Sequence, residues 1–205
     1  MEHSDLPNTL LAGVEVVDTA LIRAAQDYAR AHYDDMAYNH VMRSWLFSTI
    51  LYKRWREKED FPVIDLEAHA ISIILHDLGW DTTGELVSQD KRFEVDGAIA
   101  ARAWIEKQQT AGKTKDWDHH RLQLVWDAIA LHTTPAIAAY KEPLVKLCSI
   151  GIGVDFRGPS SGPTNAVTWD EFHAICQEFP RLDLAGGLRK IMCGLCRTKP
   201  ATTYG

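Results

Sequence analysis

Cysteine is scarce in this sequence, with four among 205 residues, far below the density of a disulfide-stapled scaffold. Basic residues are outnumbered by acidic ones, 22 against 28, and form no basic face that would predict nucleic-acid binding. No apolar run approaches the roughly 18 to 20 residues that a membrane-spanning helix requires. The N-terminal stretch MEHSDLPNTLLAG lacks the positively charged segment of a secretory signal. We therefore expect a cytoplasmic protein that binds neither nucleic acid nor membranes.

The chain contains one C-x-x-C motif, formed by Cys193 and Cys196. No second cysteine pair accompanies it to complete a zinc site, and no alternation of strands and helices surrounds it to indicate a redox motif. We interpret both residues as packing cysteines.

Apolar residues recur at helical spacing over nearly the whole chain, and no segment alternates convincingly as a strand would. Hydrophobic residues make up 46% of the sequence, which is enough for one domain with a sizeable core. Helices are predicted over residues 18–32, 38–58, 65–76, 95–109, 118–132, 143–156 and 184–196, with another opened by a capping box at 168–171. The stretch GPSSGPTN is predicted to be a loop. The predicted fold class is all-α.

Four polar residues are predicted to lie inward on the helices: His40, His76 and Asp155 fall on faces that are otherwise apolar, and Asp77 closes the third helix directly after His76. Any one of them alone would most often be a hydrogen-bonded core residue or a helix cap. Together, buried without a common partner, they would be very costly. A divalent cation is such a partner, because imidazole and carboxylate groups suit zinc, iron or manganese. The sequence therefore predicts a metal site with one or more positions left for water.

These four residues, in the order H…HD…D, resemble the HD-domain superfamily, whose members are all-helical and hold a divalent metal where core helices cross. The resemblance covers roughly residues 20–160 of a single HD domain, with 161–205 as a C-terminal helical extension. The segments NHVMRSW, HDLGW, RFEVDGA, ALHT and GVDFRG most resemble cyanamide-hydratase-like HD proteins of fungi. That resemblance implies a metal-dependent lyase that hydrates the nitrile of cyanamide to urea.

HD proteins with two metal ions use extra histidines, and only part of that set has a counterpart here. After the HD pair, Glu94 and Asp96 stand where a histidine would be wanted, while His132 matches a later position. His119 and His120 lie at a helix start among polar residues, and we interpret them as solvated or capping. We expect one Zn²⁺ or Fe²⁺ per chain. A second ion, held with a carboxylate from Glu94 or Asp96, is the disfavoured alternative.

The expected chemistry follows from the parts of such a site. A divalent metal lowers the pKa of bound water from 15.7 toward about 7, which makes it a nucleophile for an electrophilic carbon. The nitrile nitrogen then needs a proton, which a carboxylate beside the metal can pass on. Asp77 is the first candidate for this transfer. The further catalytic candidates are Asp96, Glu94 and His132, and the candidates for binding substrate are Arg43, Arg92 and Thr133.

Three other functions are compatible with the same four residues. A phosphohydrolase acting on nucleotides or other phosphate monoesters would need cations near the metal, for which Arg43, Lys91, Arg92 and Arg157 are available. A di-iron oxygenase would need the second histidine set, which is incomplete. A metal-stabilised binding module is the non-enzymatic alternative. The sequence also has seven tryptophans, and exposed ones would indicate a subunit interface, so a homo-oligomer is a further expectation.

Overall fold

The computed structural model describes residues 6–58, 61–159 and 165–203. Helices dominate these ranges, which confirms the predicted all-α class. The α-helices are α1 (Ala20–His32), α2 (Asp35–Lys58), α3 (Leu66–Ile74), α4 (Phe93–Thr110), α5 (His119–Leu131), α6 (Pro135–Ala138), α7 (Pro143–Arg157), α8 (Trp169–Glu178) and α9 (Leu184–Thr198). The strands are β1 (Asn8–Leu11) and β2 (Val14–Val17).

Several helices begin where the sequence carries a capping residue. The side chain of Asp65 accepts a hydrogen bond from the first turn of α3, and Asp118 does the same for α5. Thr168 and Glu171 form the predicted capping box at the start of α8. A cap satisfies backbone N–H groups that have no partner within the helix. The N-termini of these helices were therefore predictable from the local sequence alone.

The expectation that the chain has no strand was wrong near the N-terminus. β1 and β2 pair as an antiparallel hairpin, joined by Ala12 and Gly13 with φ angles of 48° and 79°. Two consecutive positive φ angles give a tight turn whose twist matches that of the paired strands. Val14 and Val16 are buried and Glu15 is exposed. That alternation was the available signal, but it extends over a very short segment.

The long helix α2 passes through the core, and α7 packs along it. The two backbones approach closely at Gly151, where a Cβ would lie 2.3 Å from the Cβ of Ser48. This contact matters for the site because His40 lies on α2 and Asp155 lies on α7. No helix in the described part of the chain, α2 included, is long and apolar enough to cross a membrane.

The interpretation of Cys193 and Cys196 as packing residues was wrong, because both are exposed on α9. That helix turns other residues toward the core, among them Leu188 and Met192. Amphipathic spacing assigns a helix one buried face, and the two cysteines lie outside it.

Tryptophan exposure bears on the expected homo-oligomer. Trp169 is 56% exposed, whereas Trp45, Trp55 and Trp104 are buried. One exposed tryptophan in a single chain does not test association, so the homo-oligomer stays a prediction.

We expect the buried His69 of α3 to make the fold sensitive to acid. Its Nε2 lies 2.7 Å from the Ser48 hydroxyl, and burial lowers its pKa from 6.5 to about 4. Between these two values the unfolded chain binds the extra proton, so this contribution to stability is complete above about pH 6.5 and is lost as the pH falls toward 4. The loss from pH 7 to pH 4.5 is about 2 to 3 kcal/mol for this group.

Urea unfolding at both pH values, on the wild type and on His69→Gln, measures this contribution. Glutamine retains hydrogen-bonding capacity but does not titrate, so the variant is expected to lose less stability on acidification. An equal loss in the two proteins would contradict the assignment to His69.

Candidate metal centre

The His-Asp pair lies in a turn directly after α3. That helix ends at Ile74, two residues before the predicted end, so His76 and Asp77 precede a 3-10 helix at Leu78–Trp80. A Cβ at Gly79 would lie 2.0 Å from the carbonyl oxygen of Phe93. Only glycine permits this approach, which brings the turn against the start of α4.

Three of the predicted ligands meet at this turn. Nitrogen atoms of His40 and His76 and a carboxylate oxygen of Asp77 lie within 4.8 Å of one another, and all three residues are buried. The Asp77 Oδ2 atom is 3.0 Å from His76 Nε2 and 3.6 Å from His40 Nε2. Neither Nε2 atom and neither Asp77 oxygen has a hydrogen-bond partner in the described structure.

The other ring nitrogen of each histidine shows which atoms carry the lone pairs. His76 Nδ1 lies 2.7 Å from the carbonyl oxygen of Ile73, and His40 Nδ1 lies 2.7 Å from Asp155 Oδ2. Both of these oxygens are acceptors, so each Nδ1 donates, and in the neutral ring the lone pair is on Nε2. In the neutral form of both rings, two lone pairs therefore face the Asp77 carboxylate.

Such an arrangement is costly in a buried site unless a cation binds there. Imidazole nitrogens fixed by a hydrogen bond from their second nitrogen, together with a carboxylate, are the ligands of zinc and iron sites. Burial by itself would raise the pKa of the Asp77 carboxyl, but the surrounding imidazoles, His76 foremost, hold that pKa below its ordinary value. The cluster therefore fits a divalent metal ion.

His132, predicted as a catalytic residue, lies beside this cluster. Its Nδ1 donates to the carbonyl oxygen of Ile129, at 2.7 Å, and its Nε2 is 3.6 Å from Asp77 Oδ1. Burial, with the charge of His76, lowers the pKa of His132 from 6.5 to about 4. The ring is therefore neutral at pH 7 and presents a lone pair at Nε2.

Asp155, predicted as the fourth ligand, lies outside the cluster. Its Oδ2 accepts the hydrogen bond from His40 Nδ1, and both of its oxygens accept from Arg43, at 2.8 and 2.7 Å. Burial alone would raise the pKa of Asp155, but the hydrogen bonds from Arg43 and His40 lower it to about 2. The Asp155 carboxylate thus contacts His40 Nδ1, whereas the cluster lies at His40 Nε2 on the other side of the ring. In this geometry Asp155 orients the His40 ring as a metal ligand.

Arg43, predicted to bind substrate, is fully buried and does not line the cavity beside the cluster. Besides Asp155, its guanidinium binds the carbonyl oxygens of Phe179 and Pro180. The contacts with Asp155 are buried, and those with Phe179 and Pro180 are partly buried. Arg43 therefore connects α2 with α7 and with the segment between α8 and α9.

Glu94, Arg92 and Thr133 form one hydrogen-bonded group. Thr133 Oγ1 donates to Glu94 Oε1 at 2.5 Å, and Arg92 Nε donates to Oε2 at 3.2 Å. Burial by itself would raise the pKa of the Glu94 carboxyl, but these hydrogen bonds hold it below its ordinary value. Glu94 and Thr133 line the cavity, while Arg92 supports Glu94 from outside it.

Asp96, also predicted as catalytic, does not reach the cavity. Its Oδ2 accepts hydrogen bonds from the side chain of Lys199, at 2.7 Å, and from the backbone N–H of Ser88, at 3.1 Å. Both members of the ion pair are buried. The carboxylate therefore anchors the chain after α9, a contact that no sequence pattern indicated.

The cavity beside the cluster has a volume of about 410 Å³. Leu188 and Met192 of α9 form part of its wall, a contribution that no sequence pattern indicated. The remaining lining residues outside the cluster are Trp80, Phe93, Glu94, His132, Thr133, Pro135, Ser149, Ile152, Gly153, Phe156 and Arg157. The wall is thus largely apolar.

The four cationic side chains that could bind a phosphate substrate lie at different places in the fold. Arg157 lines the cavity, whereas Arg43 binds Asp155 inside the core, and Lys91 pairs with Asp90 at the surface.

His119 and His120 are exposed at the start of α5, as expected for solvated residues.

Comparison of the chain with protein-family models found no match, and neither did a search of the curated proteins. The function therefore has to be argued from the geometry of the site.

Proposed function

We propose that this chain is a metal-dependent hydratase of the HD type that adds water across the carbon–nitrogen triple bond of a small nitrile, converting cyanamide to urea. One observation carries the proposal. The His40 and His76 Nε2 atoms and both Asp77 oxygens are buried at the wall of a cavity and have no hydrogen-bond partner among the residues that the structure describes. These residues would hold a Zn²⁺ or Fe²⁺ ion.

Hydrogen bonds within the protein orient the two histidine ligands. A divalent ion held by them would act as a Lewis acid and would lower the pKa of bound water toward about 7. Asp155 and the Ile73 carbonyl fix the orientation of His40 and His76 through their Nδ1 atoms. This support keeps both Nε2 atoms directed at one point.

Hydration also requires that a proton reach the nitrile nitrogen. His132 Nε2 faces Asp77 Oδ1 at 3.6 Å and is neutral at pH 7, so it can take up a proton and release it. Glu94 is held ionised by Thr133 and Arg92 at the same cavity wall and can accept a proton in turn. Groups in such positions contribute about 10²- to 10⁴-fold to the rate.

Hydration fits the cavity better than phosphate ester hydrolysis does. A transferred phosphoryl group carries several negative charges and is stabilised by more than one cation. Arg157 lines the cavity, whereas Arg43 and Arg92 already bind carboxylates. A largely apolar wall with one arginine favours a substrate that carries less negative charge than a phosphate monoester does.

The test is an assay of urea formation from cyanamide by the metal-loaded protein. We expect one metal ion per chain, urea production that ceases on chelation, and recovery when Zn²⁺ or Fe²⁺ is restored. Phosphate release from nucleotides by a protein that forms no urea would show that the phosphohydrolase alternative is correct. Two ions per chain with oxygen consumption would instead indicate a di-iron oxygenase.

A further inference from the structure

The cavity is much larger than cyanamide requires. Its volume is about 410 Å³, whereas a water molecule takes up about 30 Å³ of the liquid, and cyanamide is not much larger than water. Cavities of about 300 to 1,000 Å³ are typical of sites that enclose whole small molecules. Phe93, Phe156, Leu188 and Met192 make much of the wall apolar. The space thus suits a substrate with an apolar body next to its reacting group.

The lining of this cavity includes one arginine, Arg157, besides the carboxylates of Asp77 and Glu94. The Arg157 guanidinium lies on the backbone of Gly153, one turn earlier in α7, where a Cβ would be 2.1 Å from Nη2 and 2.7 Å from Cζ. A helical side chain covers the turn that precedes it, and the missing Cβ leaves room for the guanidinium. Gly153 and Arg157 both line the cavity.

Arg157 differs from Arg43 and Arg92 in its contacts, since no acidic side chain in the described ranges pairs with it. Arg43 binds Asp155 and Arg92 binds Glu94. Across residues 6–58, 61–159 and 165–203, no hydrogen bond or ion pair joins the Arg157 guanidinium to another residue. Its planar donors therefore remain available to a ligand that enters the cavity.

We infer that the site takes a further class of substrate besides cyanamide, an anionic nitrile with a small apolar body, whose carboxylate binds Arg157 while its nitrile reaches the His40, His76 and Asp77 cluster. This inference rests on the proposed hydratase function. Guanidinium binds carboxylate through two parallel hydrogen bonds, and a single guanidinium matches one negative charge. In the reaction, the water oxygen bonds to the nitrile carbon and both hydrogens end on the nitrogen. The product is a carboxamide, and the carboxylate is unchanged.

Binding of two unreactive probes to the metal-loaded protein tests this inference apart from catalysis. 4-Methylbenzoate and 4-methylbenzamide have similar shapes, differ in charge and have no nitrile to hydrate. By calorimetry, we expect the wild type to bind the benzoate about 10- to 100-fold more tightly, the range that a charge-assisted hydrogen-bonded pair provides. Arg157→Gln is expected to remove that preference.

Gly153→Ala provides a second variant that keeps the charge of Arg157. The new Cβ would occupy the position of the guanidinium, which is the mobile end of its side chain and swings away. Alanine favours helix more than glycine does, so α7 is retained. The benzoate preference is expected to fall in this variant too. Arg197→Gln, a matched charge change at an exposed position of α9 outside the cavity, should keep the wild-type preference.

Turnover of 4-cyanobenzoate and 4-cyanobenzamide separates the two proposals. If cyanamide is hydrated but the benzoate preference is absent, or survives in both cavity variants, the role of Arg157 is wrong and the hydratase function stands. If the preference depends on Arg157 but no nitrile yields an amide, the anion site stands and the hydratase function is wrong. If both hold, the ratio of kcat/KM for cyanobenzoate over cyanobenzamide should fall about 10- to 100-fold in Arg157→Gln.

Discussion

Replacing His76 with alanine is expected to lower the affinity for Zn²⁺ by about 100-fold, because four-ligand zinc sites bind with about 10–16 kcal/mol and one ligand supplies roughly a quarter of that. His76 Nε2 faces the Asp77 carboxylate at 3.0 Å with no hydrogen bond. Its removal eliminates one of the two imidazole ligands in the cluster. Equilibrium dialysis followed by elemental analysis measures the change, and urea formation is expected to fall with it.

His120→Ala is the matched control, since that imidazole is exposed at the start of α5. Wild type and His120→Ala should both gain thermal stability on addition of Zn²⁺, by about 3 kcal/mol at a free concentration 100 times the dissociation constant. His76→Ala should gain much less. A variant that still holds one ion per chain at wild-type affinity would rule out the His40, His76 and Asp77 cluster as the metal site.

Replacing Arg43 with methionine is expected to destabilise the fold by about 3–5 kcal/mol, the usual cost of removing one partner from a buried ion pair. The Asp155 carboxylate is fully buried, and Arg43 donates to both of its oxygens. Without Arg43 that charge stays in the core with a single hydrogen bond, from His40. Urea unfolding of the metal-free protein at pH 7 measures the loss.

The double variant Arg43→Met with Asp155→Leu separates stability from metal binding. Apolar residues of similar volume often replace a buried ion pair at little cost, so part of the lost stability should return. Metal affinity should fall below that of Arg43→Met, because Asp155→Leu removes the acceptor that orients the ring of His40 through Nδ1. Wild-type affinity in the double variant would show that Asp155 does not act through His40, and a change under 1 kcal/mol in Arg43→Met would contradict the ion-pair estimate.

The helices and the inward position of the metal cluster were predictable from sequence. Apolar spacing within each segment determines which face of a helix is buried, and His40 and Asp155 lie on such faces. The same rule also applies to the carboxylates of α4. Residues two apart on a helix do not share a face, so the prediction of both Glu94 and Asp96 as catalytic residues of one site disagreed with helical spacing.

The roles of individual polar residues were less predictable because each depends on a distant partner. Asp155 was predicted as a metal ligand from its place in the H…HD…D order. In the structure its oxygens instead accept hydrogen bonds from Arg43 and from His40 Nδ1. Arg43 was predicted to bind substrate, yet its guanidinium forms a buried ion pair with Asp155. Which nitrogen of an imidazole faces a given carboxylate is decided by how two helices cross.

The sequence by itself determined the helices, their caps, and the burial of polar residues on three segments of the chain, since all of these depend on neighbours within a few turns. The tertiary structure decided what each buried group meets. His40 and Asp155 are 115 positions apart, and Asp96 and Lys199 are 103 apart. It also decided that α9 closes the cavity wall and that Arg157 lies over Gly153 inside it. Local periodicity carries no information on contacts between segments so far apart, because packing of the whole core selects them.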